Sequence, residues 1–340
     1  MREDRLYELS LEWRPSPSAV VQAGRLVGGP FAAMGYTDGL LAQARAWRGL
    51  WVGAFAGRVV NLGSLQGEQG TRVGGLIRVV AESTRSGAEG EFLLGAVSEK
   101  GPGGAVSRDF LSLEASWHQG GRWYVTSRGE IDVHRGWRRT LTGKTYQVTN
   151  AAFAASWQVS QQVRVSANYD QRRNYLTWDT RPLPEDVFVR YFREGGRVAL
   201  DWQGPASWRV TLATGLERPG AGAQATQSFY GAVSKGRVGR LPLAFGMEAN
   251  VYRGGELAGW VANLRSSFHW ANGNDIGLVF GRSVVSGLAS WTKPHRQNSW
   301  ARVFSDVKLA PGLYLRAELE KRVGDDSGGQ QALADLVIRF

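Results

Sequence analysis

Apolar and polar residues alternate along nearly the whole chain, in segments of about 9–14 residues that are separated by turn residues. In residues 123–134, Trp123, Val125 and Ile131 share one parity, while Glu130 and Asp132 share the other. A period of two puts these sets on opposite faces of a strand, whereas a helix would spread the charges around its circumference. The pattern therefore predicts β-strands that have one face in an apolar environment and one face in water.

Residues 332–340, Ala-Leu-Ala-Asp-Leu-Val-Ile-Arg-Phe, alternate in the same way and end on Phe340. This ending resembles the closing strand of Gram-negative outer-membrane β-barrels, in which a terminal aromatic residue is the recognition signal for the barrel insertion machinery. The resemblance implies that Phe340 is the C-terminal insertion signal. The alternative is a half-buried strand that ends a soluble β domain.

Connections of two lengths separate the predicted strands. Short ones include Arg48-Gly49 and Pro311-Gly312, and longer ones include Gly136–Thr145 and Arg172–Gly195. Short periplasmic turns that alternate with longer external loops are typical of outer-membrane barrels, and a β-sandwich has no reason to sort its loops this way. We count roughly 19 strands. The sequence thus predicts an all-β fold, one antiparallel transmembrane β-barrel of about 18–20 strands, as a single domain over residues 1–340.

The N-terminal residues, Met-Arg-Glu-Asp-Arg-Leu-Tyr-Glu, contain neither the apolar h-region nor the cleavage site of a signal peptide. Tracing strands back from the C-terminus also makes the first and last strands parallel, whereas bacterial single-chain barrels usually have an even strand number. We therefore expect that the signal peptide and at least one N-terminal strand are missing from this chain. A miscounted strand is the other explanation.

Composition suits a barrel and excludes several other classes of protein. No stretch approaches the roughly 20 apolar residues of a membrane helix, so a chain that spans a bilayer must do so as a closed barrel. The 14 tryptophans and 45 glycines suit aromatic girdles and tight strand packing. The absence of cysteine excludes disulfides, cysteine-ligated zinc and thiol catalysis. The net charge of +11 comes from scattered arginines, which favours a cationic surface or lumen over a nucleic-acid partner.

Charged residues on the polar parity are the main functional candidates, because unpaired charges require water and a water-filled pore supplies it. The alternative is that these charges only cross-link the barrel wall. The pore-lining candidates are Glu12, Arg14, Arg45, Arg78, Arg128, Glu130, Asp132, Arg164, Asp170, Arg265, Arg316 and Glu318.

The longest connection, residues 172–195, mixes arginines with aromatic residues, a combination that suits sugars and anionic polymers. It could fold inward as a constriction, face outward as a binding surface, or pack on its own aromatic side chains. The loop or constriction candidates are Arg172, Arg173, Trp178, Arg181, Arg190, Tyr191 and Arg193.

The sequence offers little for catalysis. Asp132 and His134 are close enough for general-base chemistry, but an Asp-x-His pair on a strand is common and nonspecific. The histidines do not have metal-ligand spacing, and no glycine-rich run follows a strand and opens a helix. We therefore expect no enzyme activity, no cofactor and no metal.

The segments Gly24-Arg25-Leu26, Gly35-Tyr-Thr-Asp38-Gly39 and Gly53-Ala-Phe55-Ala-Gly57 resemble porin-like barrels of proteobacteria. The resemblance covers about 35 residues; it implies localisation in the bacterial outer membrane and does not identify a substrate. We expect a channel for hydrophilic, preferentially anionic solutes. The alternatives are the exit barrel of a polysaccharide secretion system and a closed structural or adhesive barrel. Expected partners are outer-membrane lipid, lipopolysaccharide and the barrel insertion machinery, with periplasmic export partners in the secretion case and no nucleic acid.

Overall fold

The structure, a computed structural model, describes residues 9–26, 34–60, 67–83, 87–173, 177, 180–182, 193–218, 220, 223–239, 241–254, 257–270, 274–287, 295–325 and 328–338. Within these ranges the chain forms 19 strands and the short helix α1 (Trp137–Thr142). It divides into two compact units. Unit 1 comprises Met1–Trp157, Asn168–Glu194 and Pro219–Ala221, and unit 2 comprises Gln158–Ala167, Gly195–Arg218 and Gly222–Phe340.

Unit 1 is built on nine strands, each antiparallel to the next one in the chain. They are β1 (Ser10–Ser16), β2 (Ala19–Leu26), β3 (Thr37–Trp47), β4 (Leu50–Val60), β5 (Gly67–Ser83), β6 (Ala88–Lys100), β7 (Val106–Gln119), β8 (Trp123–Val133) and β9 (Tyr146–Gln158). Helix α1 lies in the connection from β8 to β9.

Unit 2 is built on eight strands that pair in the same sequential, antiparallel manner. They are β12 (Trp208–Arg218), β13 (Thr226–Lys235), β14 (Leu243–Arg253), β15 (Leu257–Trp270), β16 (Asn274–Gly287), β17 (His295–Ala310), β18 (Leu313–Gly324) and β19 (Gly329–Ile338). Strands β10 (Val163–Arg172) and β11 (Arg193–Gln203) contribute residues to both units.

In each unit, the turn end is the end of the sheet at which an odd-numbered strand is joined to the next even-numbered strand. The loop end is the opposite end, at which an even-numbered strand is joined to the next odd-numbered strand. At the turn end, two-residue turns join β3 to β4 and β17 to β18. The connection from β13 to β14 is longer and contains an isolated bridge between Val238 and Leu241. At the loop end, the β8–β9 connection is long enough to hold α1.

Each ladder presents an apolar face whose side chains remain exposed. In unit 2, Met247, Leu264 and Phe280 lie side by side across β14, β15 and β16, and each is more than half exposed. In unit 1, Ile77 and Leu94 make an equivalent cross-strand pair. A water-soluble protein rarely leaves so continuous an apolar surface uncovered, and lipid is the solvent that such a face requires.

The opposite, polar face differs between the two units. In unit 1 it carries a buried apolar cluster, whose members are Leu26, Met34, Leu41, Phe55, Leu76, Leu93, Val97 and Phe110. In unit 2, the hydrophobic residues that the structure describes include none that is fully buried. The polar face of unit 1 is therefore covered near its loop end, whereas the described residues of unit 2 form no such cover.

The prediction of an all-β antiparallel fold with about 18–20 strands is confirmed. In the described part of the chain, no helix has the length and apolar character needed to cross a membrane. Whether residues 1–340 act as a single domain stays a prediction.

Candidate functional site

Ion pairs bracket the apolar cluster on the polar face of β5 and β6. At the turn end, Arg78 Nε donates to Glu91 Oε1 at 2.7 Å. Toward the loop end, buried Arg72 donates to Glu99 Oε1 from Nε at 2.9 Å and from Nη2 at 2.6 Å. Leu76, in the apolar cluster, lies between the two arginines on the same strand parity. This face of β5 therefore carries an apolar layer between two charged layers.

Arg72 also fixes the segment that leads into β3. Its Nη1 donates to the carbonyl of Tyr36 at 2.8 Å and to Thr37 Oγ1 at 3.2 Å. Met34, three residues before β3, is 1% exposed and packs on Gly95, where an added Cβ would lie 2.4 Å from the methionine sulfur. The missing side chain at Gly95 makes room for this methionine, and the segment covers the polar face of unit 1.

A second buried network joins β7, β8 and α1. Arg108 Nη2 donates to Asp132 Oδ1 at 2.7 Å and to Glu130 Oε2 at 2.8 Å. Arg138, on α1, donates to Asp132 Oδ2 from the other side. Asp132 is fully buried, which is tolerable because two guanidinium groups share its charge. The network ties α1 down onto the polar face of unit 1.

His134 lies between this network and the loop. Its Nδ1 is 2.7 Å from Thr142 Oγ1, and its Nε2 is 3.4 Å from Arg138 Nη2. Burial lowers the pKa of His134, the charges of Arg138 and Lys144 lower it further, and Asp132 opposes them. The imidazole is therefore neutral at pH 7.

Unit 2 arranges its polar face differently, with a ladder of ion pairs on β17 and β18. Arg302 contacts Glu318 at 3.3 Å and Glu320 at 3.5 Å, and Arg316 contacts Asp306 at 3.3 Å. These acids already have counter-charges, so the ladder adds little net field.

Strands β10, β11, β12 and β15 carry arginines that form no ion pair with any residue the structure describes. They are Arg164, Arg197, Arg209 and Arg265. Arg197 lies over the ring of Tyr230 at 5.4 Å, and Arg265 lies over the ring of Phe304 at 4.6 Å. Arg164 instead donates to Gln158 at 3.0 Å. We call these four arginines the basic sector, to distinguish them from the paired sector on β17 and β18. The same face also carries Asp201 and Glu248, which accept hydrogen bonds from neutral side chains.

Aromatic residues mark the turn end of the apolar faces. In unit 1, Trp123 and Trp157 stack across β8 and β9 with ring centroids 4.9 Å apart. In unit 2, Trp208 packs edge-on against Phe245 at 5.7 Å, and Lys235 Nζ lies 4.7 Å from the Trp208 ring. Aromatic rings with a snorkelling lysine are typical of a membrane–water interface.

The predicted pore-lining residues fall into three settings. Glu130 and Asp132 are buried in unit 1, with Arg128 beside them at 3.7 Å from Glu130. Those in accessible ion pairs are Glu12, Arg14, Arg78, Asp170, Arg316 and Glu318. Arg45 lies over Trp51 at 5.1 Å, while Arg164 and Arg265 belong to the basic sector. Their role in lining a pore stays a prediction.

The loop candidates are described only in part. Arg172 Nε donates to Asp170 at 3.0 Å, and the backbone N–H of Arg173 donates to the carbonyl of Thr149 at 2.9 Å. Arg181 lies in a turn, and Arg193 begins β11. The remaining candidates, Trp178, Arg190, Tyr191 and Phe340, lie outside the described residues.

Sequence reasoning missed Arg72, Glu99, Arg108 and Arg138. Arg72 shares the parity of Arg78 on the same strand, so the alternation contained that signal. Arg138 had no such signal, because it lies on a short helix between strands and only the folded chain brings it to Asp132.

Solved structures that resemble the chain do so at low sequence identity. No protein-family model matches the sequence, and no curated protein matches it. The chain is similar to a bacterial polysaccharide outer membrane secretin, with 9% identity over 86% of this chain and 97% of that one at a TM-score of 0.39. It is also similar to a triple mutant of the porin of Rh. blastica, with 12% identity over 80% and 90% of the two chains at a TM-score of 0.37. The antiparallel ladders, the exposed apolar faces and the aromatic residues at the turn end are features of a β-barrel fold whose outer face meets lipid.

Proposed function

We propose that the protein is an outer-membrane channel for hydrophilic solutes and that the polar face of unit 2 forms the wall along which they pass. The observation that carries the proposal is the openness of this face, on which Arg209 and Arg265 are exposed. Charged side chains inside a membrane require water or partners, and these arginines form no ion pair among the described residues.

Charge on this face favours anionic solutes. The carboxylates of the paired sector, Asp306, Glu318 and Glu320, already contact arginines. The four arginines of the basic sector outnumber Asp201 and Glu248, two carboxylates on the same face that contact neutral side chains. An anion that moves along this wall gains more from the unpaired arginines than a cation gains from the paired carboxylates. We therefore expect reversal potentials that favour anions, and a cation preference would contradict this part of the proposal.

Matched tryptophan substitutions in a planar bilayer test the channel. Ala232 lies on the polar face of β13 opposite Glu248, so Ala232→Trp narrows the proposed passage. Ala262 lies on the apolar face of β15 opposite Ala249, so Ala262→Trp adds the same bulk toward lipid. We expect Ala232→Trp to lower single-channel conductance and Ala262→Trp to leave it unchanged. Equal conductance of both variants, with both folded, would contradict a passage along unit 2.

A closed barrel is the second candidate, and the covered polar face of unit 1 favours it. Met34, Arg72 and the α1 network fill that face near its loop end. A barrel that folds, shows heat-modifiable migration on a gel and never conducts would support this alternative over the channel.

A further inference from the structure

The turn end of the polar face in unit 2 contains a cleft of about 600 Å³. Its lining includes cationic side chains from separate elements: Arg209 on β12, Arg265 on β15, and Arg237 in the connection after β13. No Asp or Glu is among the described residues that line it. A cleft of one sign concentrates ions of the other.

Strand register shows how the two principal arginines face each other. Arg209 lies opposite Ser234, Ser234 opposite Gly246, and Gly246 opposite Arg265. The arginines are thus three strands apart, roughly 14 Å at the usual strand spacing. Only Ser234 and Gly246 separate the two arginines. The serine supplies a hydroxyl group to the floor of the cleft, and the glycine has no side chain to fill the space above it.

An aromatic ring positions the guanidinium group of Arg265. Its guanidinium lies over Phe304, and Phe304 in turn lies on Gly277, where an added Cβ would be 2.4 Å from the ring. Stacking fixes the plane of the guanidinium without using its N–H donors. These donors stay available for an anion.

We infer that this cleft is a binding site for a phosphate-bearing, water-soluble solute. The forked donors of Arg209 and Arg265 match tetrahedral oxyanions, and several cations in one cleft favour a multivalent anion over a monovalent one. Arg209 and Arg265 belong to the polar face, and the lining also includes Trp208, Lys235 and Phe245 at the interfacial turn end, so the solute reaches the cleft through water. The inference rests on the proposed channel in naming a transported solute, but binding itself does not require conduction.

Calorimetric titration of the folded barrel with inorganic pyrophosphate, in a detergent without phosphate at low salt, tests the site. We expect saturable binding, which Arg209→Gln and Arg265→Gln each weaken roughly tenfold. Arg282→Gln is the control, because it removes the same charge from an exposed arginine that contacts Gln297 outside the cleft, on the opposite face of the sheet. Arg209→Lys keeps the charge but loses the fork, and we expect an intermediate affinity.

Several results would overturn the site. They are no binding of pyrophosphate to a folded, heat-modifiable barrel, an equal loss in Arg282→Gln, or binding of anionic phospholipid without binding of pyrophosphate. The site and the channel fail separately. A barrel that binds pyrophosphate but never conducts loses the channel and keeps the site, and one that conducts without binding loses only the site.

Discussion

Asp132 is the residue on which the buried network of unit 1 depends, because Arg108 and Arg138 both direct guanidinium groups at its carboxylate. Removing one member of a buried ionic group leaves the others uncompensated, at a cost of about 3–5 kcal/mol. We therefore expect Asp132→Asn to lower the free energy of unfolding by about that amount, measured by urea titration of the folded barrel.

Glu12→Gln is the comparison for Asp132→Asn. Glu12 pairs with Arg14 on a part of unit 1 where both side chains are exposed. Water screens such a pair, so its loss leaves the urea midpoint nearly unchanged. Similar midpoints for the two variants would show that the Asp132 network contributes no more than a surface ion pair.

Gly39 is a second residue at which a small substitution, the addition of a Cβ atom, should lower the stability of the fold. A Cβ at Gly39 would lie 2.1 Å from the carbonyl oxygen of Ala56, whereas at Gly75 the nearest heavy atom is 3.7 Å away. We expect Gly39→Ala to destabilise the barrel by about 1–3 kcal/mol and Gly75→Ala to be tolerated. The temperature at which each variant loses its folded gel migration measures this, and equal temperatures would contradict close strand approach at Gly39.

At the scale of the element, α1 should respond to pH through His134. The pKa of His134 is lowered in the folded chain, so the unfolded loop binds a proton more readily. Stability then rises with pH through the ordinary histidine range and falls as pH drops below about 6.5. Backbone amides of residues 134–145 should exchange faster at about pH 5.5 than at about pH 7.5, after correction for intrinsic rates.

His134→Gln is the variant that isolates this effect, because its amide can keep a hydrogen bond to Thr142 and cannot titrate. The pH dependence of exchange in residues 134–145 should disappear in it. Persistence of the same dependence would assign the response to another group, and the proposed role of His134 would be wrong.

Strands are the elements that the sequence predicts well. In β8, alternation correctly separates Ile131, which is exposed, from Glu130 and Asp132, which are buried. Alternation alone does not say whether a polar face meets water or a cover. Met34 and α1 come from connections, whose path depends on tertiary contacts such as Arg72 with Tyr36. The openness of unit 2 and the cover of unit 1 were therefore beyond sequence reasoning.

At the scale of the whole molecule, positive charge is spread unevenly over the polar faces of the sheet. The net charge of +11 suggests a generally cationic interior, but the polar faces contain neutral ion-pair ladders beside a localised basic sector. In the proposed channel, we expect selectivity to arise where cations lack ionic partners and not from the total charge. Lipopolysaccharide, the insertion machinery and export partners stay predictions, as does the absence of enzyme activity.

Because the chain has no cysteine, single introduced cysteines can report the environment of each face. Ala232→Cys lies on the open polar face of unit 2, Leu264→Cys on its apolar face, and Leu41→Cys beneath the cover of unit 1. In lipid vesicles, a charged thiol reagent should label Ala232→Cys rapidly. A lipid-soluble maleimide should label Leu264→Cys, and neither reagent should reach Leu41→Cys before urea unfolds the barrel.

Each failure of this labelling pattern points to a different error. Rapid reaction of Leu264→Cys with the charged reagent would mean that the apolar face of unit 2 does not meet lipid. It would contradict the inference that the exposed side chain of Leu264 faces the membrane. Reaction of Leu41→Cys at the rate of Ala232→Cys would mean that the cover over unit 1 opens in the membrane, because Leu41 is fully buried in the folded chain. Both polar faces would then be accessible to water, and the proposed passage would no longer be confined to unit 2.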